Sequence, residues 1–253
     1  FSYEALQAPT RLLSPMIKQG GQWHTVDWAT ALGYVVDGLK RVTAEFGSTG
    51  VGALVSPSAS IESLHLLGKL VRGLGSDNID HRLRHAAAAP TTRSIRWLGR
   101  SVASLSALDR ALVVGSFLRK DHPLFALRLR HAARHGAAVH SVGACLDDWL
   151  MPMGQRIVEV PSRWVHVLAD IAREAAAIKS GVVSTSGTPA AAMAASLMGG
   201  KKKAILLGQS VAQSPDALRV LALAHDIAVQ TGATVGWLGE GGNDVGAQWV
   251  GAM

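Results

Sequence analysis

The stretch from Asp109 to Ser141 limits the folds open to this chain more than any other. An apolar run, Ala111-Leu112-Val113-Val114, ends in Gly115-Ser116, and a short basic loop leads to His122-Pro123. A helical segment then runs to His135, and Gly136 precedes a second β-like run from Ala137 to Ser141. This is the pattern of a β-α-β unit. Pro123 suits the first helical turn, where a missing N–H costs nothing, and Gly136 suits the left-handed position that closes a helix. Phe125, Leu129, Ala132 and Ala133 recur at helical spacing while Arg128, Arg130, His131, Arg134 and His135 fall elsewhere, so one side packs on a sheet and the rest is solvated. The loop from Gly115 to His122 leaves the carboxyl end of a strand, where ligands usually bind in an open α/β sheet. It lacks the second and third glycines of a Rossmann fingerprint.

The rest of the chain repeats the strand–helix alternation. Pro9 and Pro15 bar a long helix near the start, and Gly20-Gly21 reads as a hairpin turn. Asp27 can cap a helix whose Trp28, Leu32, Val35, Leu39, Val42 and Phe46 keep one face apolar up to Gly47. Val51 to Val55 reads as a short buried strand, and Ser60 caps a second helix that Gly75 stops. After an irregular Gly143 to Gly154, strands are expected at Ile157 to Val160, Ala204 to Leu207 and Thr234 to Leu238. Helices are expected from Trp164 to near Gly181, from Pro189 to Gly199-Gly200, and from Ser214-Pro215-Asp216 to Gly232. The fold class that follows is α/β, with mostly parallel sheets flanked by helices.

Of the 253 residues 48% are hydrophobic and 17% charged, which fits a globular α/β protein and excludes disorder. Apolar runs are broken well short of the roughly 18 residues needed to span a bilayer, so no direct membrane span is expected. The formal charge of +7 could serve nucleic acid, an anionic surface or an acidic partner. Its basic residues are dispersed and no nucleic-acid module accompanies them, so solvated faces plus a docking surface are expected and nucleic acid is not. A single cysteine, Cys145, allows no internal disulfide, no zinc knuckle and no Cys-ligated iron–sulfur cluster held by this chain alone. Phe1 at the start and Gly251-Ala252-Met253 at the end read as cuts within a longer chain.

The buried strand ending in Gly115-Ser116, with His122-Pro123 opening an Ala/Arg/Leu-rich helix, resembles the nucleotide-lobe signature of the molybdopterin oxidoreductase superfamily. Three further stretches share the likeness in family order: Arg11-Leu12 to Pro15-Met16 with Gly21-Gln22-Trp23 and Asp27-Trp28; Gly75 to Asp80; and Gly239 to Ala252. Within that superfamily the chain looks most like the large iron–sulfur subunit of bacterial NADH-quinone oxidoreductase, respiratory complex I. The resemblance implies two lobes as in the formate dehydrogenase/DMSO reductase-like fold. After an extended lead-in at 1–26, one lobe would comprise 27–107 plus 181–253, and a second lobe, 108–180, would be inserted into it.

The same resemblance implies where a pterin site would lie. In molybdenum members an Asn-x-Asp segment like Asn78-Ile79-Asp80 precedes the metal ligand, which falls here at Ala86; a methyl group coordinates nothing, and His85 is the only metal-competent neighbour. Relatives usually carry Asn-Pro after Gly-Ser, where this chain has Phe117-Leu118, although Arg119 and Lys120 could attract a phosphate. The glycine-rich turn from Gly236 to Gly246 resembles the one that approaches the pterin, with Asn243-Asp244 able to cap the next helix. The positions of a vestigial site are therefore Ala86, Gly115, Ser116, Phe117, His122, Gly242 and Asn243. No bound cofactor, metal or catalytic residue is expected in this segment; iron–sulfur clusters would lie in a preceding N-terminal part of the subunit. The implied role is scaffold and docking among the other subunits of the complex I peripheral arm, on the cytoplasmic face of the inner membrane. The alternative is a molybdopterin-dependent, formate dehydrogenase-like domain with a pterin nucleotide between the lobes.

Two other constellations carry less. His131 and His135 share one helix face but lack the Glu and third ligand of a zinc site, and surface helix accounts for them. No Gly-x-Ser-x-Gly elbow marks a nucleophile.

Overall fold

The computed structural model describes residues 3–83, 95–182 and 187–253. Strands β1 (Met16–Gln19) and β2 (Gln22–Thr25) form the expected hairpin, with Gln19 paired to Gln22. Gly20 and Gly21 both take positive φ, 55° and 83°, as a two-residue turn of this hand requires. Helix α1 (Trp28–Phe46) starts where predicted: the Asp27 carboxylate accepts the Thr30 N–H at 2.7 Å. Strand β3 (Ala53–Leu54), helix α2 (Ile61–Gly73) and strand β4 (Ile79–Asp80) follow, with β3 and β4 pairing in parallel. Ser60 caps α2 through the Ser63 N–H, and Gly75 closes it at φ 80°.

A 3-10 turn at Val102–Ala107 leads into the main sheet. Its first strand is β5 (Arg110–Val114), followed by the short helix α3 (Leu118–Asp121), helix α4 (Pro123–Arg134) and strands β6 (Ala138–Gly143) and β7 (Arg156–Val158). Helices α5 (Trp164–Lys179) and α6 (Pro189–Gly199) precede β8 (Lys203–Leu207), α7 (Gln209–Ala212), α8 (Ala217–Thr231), β9 (Thr234–Trp237) and α9 (Asp244–Trp249). The five strands lie in the order β7-β6-β5-β8-β9, all parallel.

Alternation along the two central strands separates the two faces of the sheet. Leu112, Val114, Ile205 and Leu207 meet Trp164, Leu168, Ile171, Met193, Val220 and Ile227 from α5, α6 and α8. Ala111, Val113, Ala204 and Leu206 meet Leu105 of the 3-10 turn and Leu118, Ala126, Leu129 and Ala133 of α3 and α4. Burying each Leu-sized side chain stabilises by about 1.5–3 kcal/mol, so most of the stabilisation lies in these two layers. The α/β class with a helix-flanked parallel sheet is as the sequence predicts.

The expected lobe division differs from this arrangement. β8 and β9, from the stretch assigned to the first lobe, complete the sheet begun by β5, β6 and β7. The reason is burial: every residue of β8 is buried, so it needs partners on both edges, and β5 pairs with it from Arg110↔Lys203 to Val114↔Leu207. Among the described residues, the end of the chain returns to the first unit. Ala247 and Ala252 pack on Leu64 and Ile79, Arg72 donates to the Gly251 carbonyl at 2.6 Å, and His81 Nδ1 donates to the Ala252 carbonyl at 2.9 Å. Among the described residues no helix is long and apolar enough to cross a membrane.

Candidate functional site

The connection leaving β5 runs through α4 on one face of the sheet and that leaving β8 runs through α8 on the other, so the loops diverge between these neighbouring strands. Such a divergence at the carboxyl edge is where open α/β sheets place ligands. Here the crevice is filled by the protein itself. Gly115 has φ 65°, and a Cβ on it would lie 2.8 Å from both Trp164 and Val211. A Cβ on Gly208 would overlap the Gly115 carbonyl, which accepts the Ser210 N–H at 3.1 Å.

Three donors of the β5 loop are engaged within the protein. Ser116 Oγ and the Phe117 N–H both donate, at 2.9 Å, to the same carboxylate oxygen of Asp121. The turn α3 brings that carboxylate back onto the loop, where the sequence pattern shows only a plain connection. Arg119, a candidate phosphate contact, instead donates to the Asp148 carbonyl at 2.8 Å and lies over the Phe117 ring. The Asp121 carboxylate thus engages two donors of this loop, Ser116 Oγ and the Phe117 N–H.

Beside the filled crevice lies an open cleft of about 400 Å³ between the β5 loop and the loop after β9. It brings together three of the predicted positions, His122, Gly242 and Asn243, with Asp121, Phe125 and Trp237. The His122 ring stacks on Phe125 with centroids 5.3 Å apart, and its Nε2 is buried without a hydrogen-bond partner among the described residues. Burial pushes its pKa down against the pull of Asp121 and Asp244. Asn243 does not cap α9 as expected. Its N–H donates to the Pro57 carbonyl and its amide to the Ala59 carbonyl, both at 2.8 Å, while Asp244 accepts the Glu240 N–H. Packing explains the change: Gly241 lies so close to Pro57 that a Cβ would come within 2.6 Å, and Asn243 fastens that approach.

A narrower recess of about 30 Å³ adjoins the cleft and includes His81, Arg82, Arg96, Gln209 and Gln248. The Arg96 guanidinium lies 4.7 Å from the centre of the Trp237 ring, and its pKa is lowered by burial and then by the nearby Arg82 charge. Arg82 forms a two-point pair with Asp80 at 2.8 and 2.9 Å. Burial works to raise the Asp80 pKa, but the Arg82 side chain and the Arg82 and His81 amides outweigh it and hold the carboxyl at about 2. Arg96 brings a planar cation to the recess, whereas Arg82 is already paired with Asp80, and Glu240 and Asp244 line the same recess. Neither Arg96 nor Trp237 stands out in the sequence, because residues 95–100 have no periodicity. Their place is set by a contact across the chain, in which the Trp237 N–H donates to the Trp97 carbonyl at 2.8 Å and Gly236 abuts Leu98.

The remaining predicted positions are dispersed or beyond description. Ala86 and His85 lie outside the described residues. His131 and His135 lie on the exposed side of α4 with ring centroids 4.3 Å apart and planes tilted by 36°, and His135 Nδ1 donates to the His131 carbonyl. Among the described residues no cluster of three His, Cys, Asp or Glu is placed to hold a metal ion. Cys145 is exposed, and its hydrogen bond to Asp147 raises the thiol pKa.

Comparison with known proteins gives three kinds of match. The molybdopterin oxidoreductase family model matches residues 11–248. A protein of Staphylococcus haemolyticus, provisionally named a formate dehydrogenase, is 29% identical over 140 residues, covering 53% of this chain and 14% of its own length. One from Staphylococcus aureus, also provisionally so named, is 26% identical over 147 residues, covering 55% of this chain and 15% of its own length. The chain thus spans about a seventh of these relatives. Among solved structures, the formyltransferase/hydrolase complex of Methylorubrum extorquens with methylofuran aligns at TM-score 0.47 and 13% identity, over 89% of this chain and 61% of that one.

Proposed function

The chain belongs to the molybdopterin oxidoreductase family, and on that premise we propose that it is the cofactor-free lobe region of the large iron–sulfur subunit of NADH-quinone oxidoreductase, acting as scaffold and docking surface. One observation supports this reading above the others: the Asp121 carboxylate accepts from Ser116 and Phe117, filling with the chain's own negative charge the place a nucleotide phosphate would take. Repulsion between carboxylate and phosphate in a partly buried loop disfavours binding there. In this role the other subunits of the peripheral arm, on the cytoplasmic face of the inner membrane, are its partners. Electrons pass through iron–sulfur clusters elsewhere in the subunit.

The second reading is a formate dehydrogenase-like pterin enzyme. The Arg96 guanidinium in the recess beside the Gly239–Asp244 loop favours it, because a planar cation there can meet an anionic group, and the named relatives lie on that side. One purification separates the two. The intact protein, isolated from its own membranes, is expected to migrate with NADH:quinone reductase activity and to carry neither molybdenum, tungsten nor releasable pterin near one equivalent. Pterin and metal near one equivalent, apart from that activity, would hand the protein to the second reading.

A further inference from the structure

The outer side of α4 sets exposed apolar side chains beside positive charge. Its inner residues Ala126, Leu129, Ala132 and Ala133 are buried against the sheet, yet Leu124 and Leu127 stand 71% and 62% exposed. They share a face with Arg128 and His131, at helical spacings of three, four and seven residues. With Val102 and Ser106 of the 3-10 turn, these side chains line an open groove of about 630 Å³. Val102, Leu124 and Leu127 give the groove its apolar surface, and the Arg128 guanidinium stands beside them. No Asp or Glu occurs from Pro123 to His135, whereas Arg128, Arg130, His131, Arg134 and His135 do. Arg128 makes one long contact, 3.5 Å to Ser106 Oγ, and among the described residues no arginine of α4 is in an ion pair. The acidic neighbours are engaged elsewhere: Asp121 holds the β5 loop, and Asp109 accepts the Lys201 and Lys202 N–H groups.

We propose that the groove between α4 and the 3-10 turn is a docking site for an acidic amphipathic helix of a partner protein. The partner would place two leucine-sized side chains, a turn apart, against Leu124 and Leu127 and carboxylates against Arg128 and its neighbours. Helix-in-groove recognition needs this combination of apolar anchors in a trough with complementary charge at the rim. Nucleic acid would meet the arginines but leave the leucines unused, and a bilayer would need a broader apolar face than Leu124, Leu127 and Val102 provide. The inference does not depend on assignment to NADH-quinone oxidoreductase.

The test is fluorescence anisotropy with the full chain and a labelled helical peptide of glutamate with leucine at positions i, i+3 and i+7. A peptide of the same composition in scrambled order is the control. Binding near about 10 µM is expected for the patterned peptide, with the scrambled one weaker by about tenfold or more. Leu127→Ala and Arg128→Glu should each weaken binding by about tenfold, the second effect shrinking in high salt. Leu218→Ala, at an exposed leucine on α8, should change nothing. Equal binding of the two peptides, or an unchanged Leu127→Ala, overturns the proposal. So does tighter binding of generic duplex RNA or phosphatidylserine vesicles that depends on these same residues.

Discussion

Helices α1 and α5 resemble each other in sequence and differ completely in circumstance. Both are long and amphipathic, but α5 buries Trp164, Val165, Leu168, Ile171 and Ala175, whereas α1 buries no residue and leaves Trp28, Leu32 and Phe46 more than half exposed. The five-stranded sheet supplies α5 with a wide apolar floor; the two-residue strands β3 and β4 supply α1 with almost none. A good cap and a clean hydrophobic stripe are enough to specify a helix, but tertiary contact decides whether the stripe stabilises anything.

That contrast can be tested from its strongest point downward. Gly236→Val should be the most damaging substitution, because any Cβ there overlaps the Leu98 carbonyl; a loss of about 4 kcal/mol or more is expected, seen as failure to give a cooperative urea transition. Next, Leu168→Ala in the α5 core should cost about 3 kcal/mol, while Leu32→Ala on α1 should cost less than about 0.5 kcal/mol. Equal shifts in urea midpoint would mean that α1 is buried in solution after all.

A pH effect of intermediate size belongs to the sheet alone. His140 is buried with both ring nitrogens satisfied in the neutral form: Nδ1 accepts the Gln155 N–H at 2.9 Å and Nε2 donates to Ser196 Oγ at 2.8 Å. Burial, then the Arg110 charge, depress its pKa to about 4. The unfolded chain titrates near 6.5, so between those values it binds more protons than the folded one. Stability is complete above about 6.5 and falls as the pH drops toward 4, by up to about 1.4 kcal/mol per pH unit. Urea titrations at several pH values should show the slope, and His140→Gln should remove it. The most local effect is that of Asp27→Ala, which takes the cap from α1. It should lower helicity measured by circular dichroism without moving the main unfolding transition.

Local physics made the elements legible in the sequence. The β5–α4–β6 unit, the Asp27 and Ser60 caps and the Gly20-Gly21 hairpin sit where spacing, proline and glycine placed them, because each depends on residues within a few positions of one another. What stayed hidden depends on distance. The pairing of β8 with β5 joins residues about ninety apart in sequence, and nothing in either apolar run names its neighbour. The same holds for the site: His122, Gly242 and Asn243 stand out singly, but the recess of Arg82, Arg96 and Trp237 is assembled from three separate stretches. Asp121 is the subtler case. Its hydrogen bonds are local, and Asp four residues after Phe117 could have signalled a turn folding back on its own loop.

The return of residues 247–252 to the first α/β unit also sets an order of events during synthesis. Leu64 and Ile79 leave the ribosome long before Ala247 and Ala252, which cover them, and His81 waits 171 residues for the carbonyl it binds. At common translation rates that is roughly 10 to 30 seconds, during which the five-stranded sheet can close while the unit made first still shows its apolar floor. The first α/β unit of this stretch is therefore completed only after the sheet that follows it in sequence, and during that interval a chaperone would find it open.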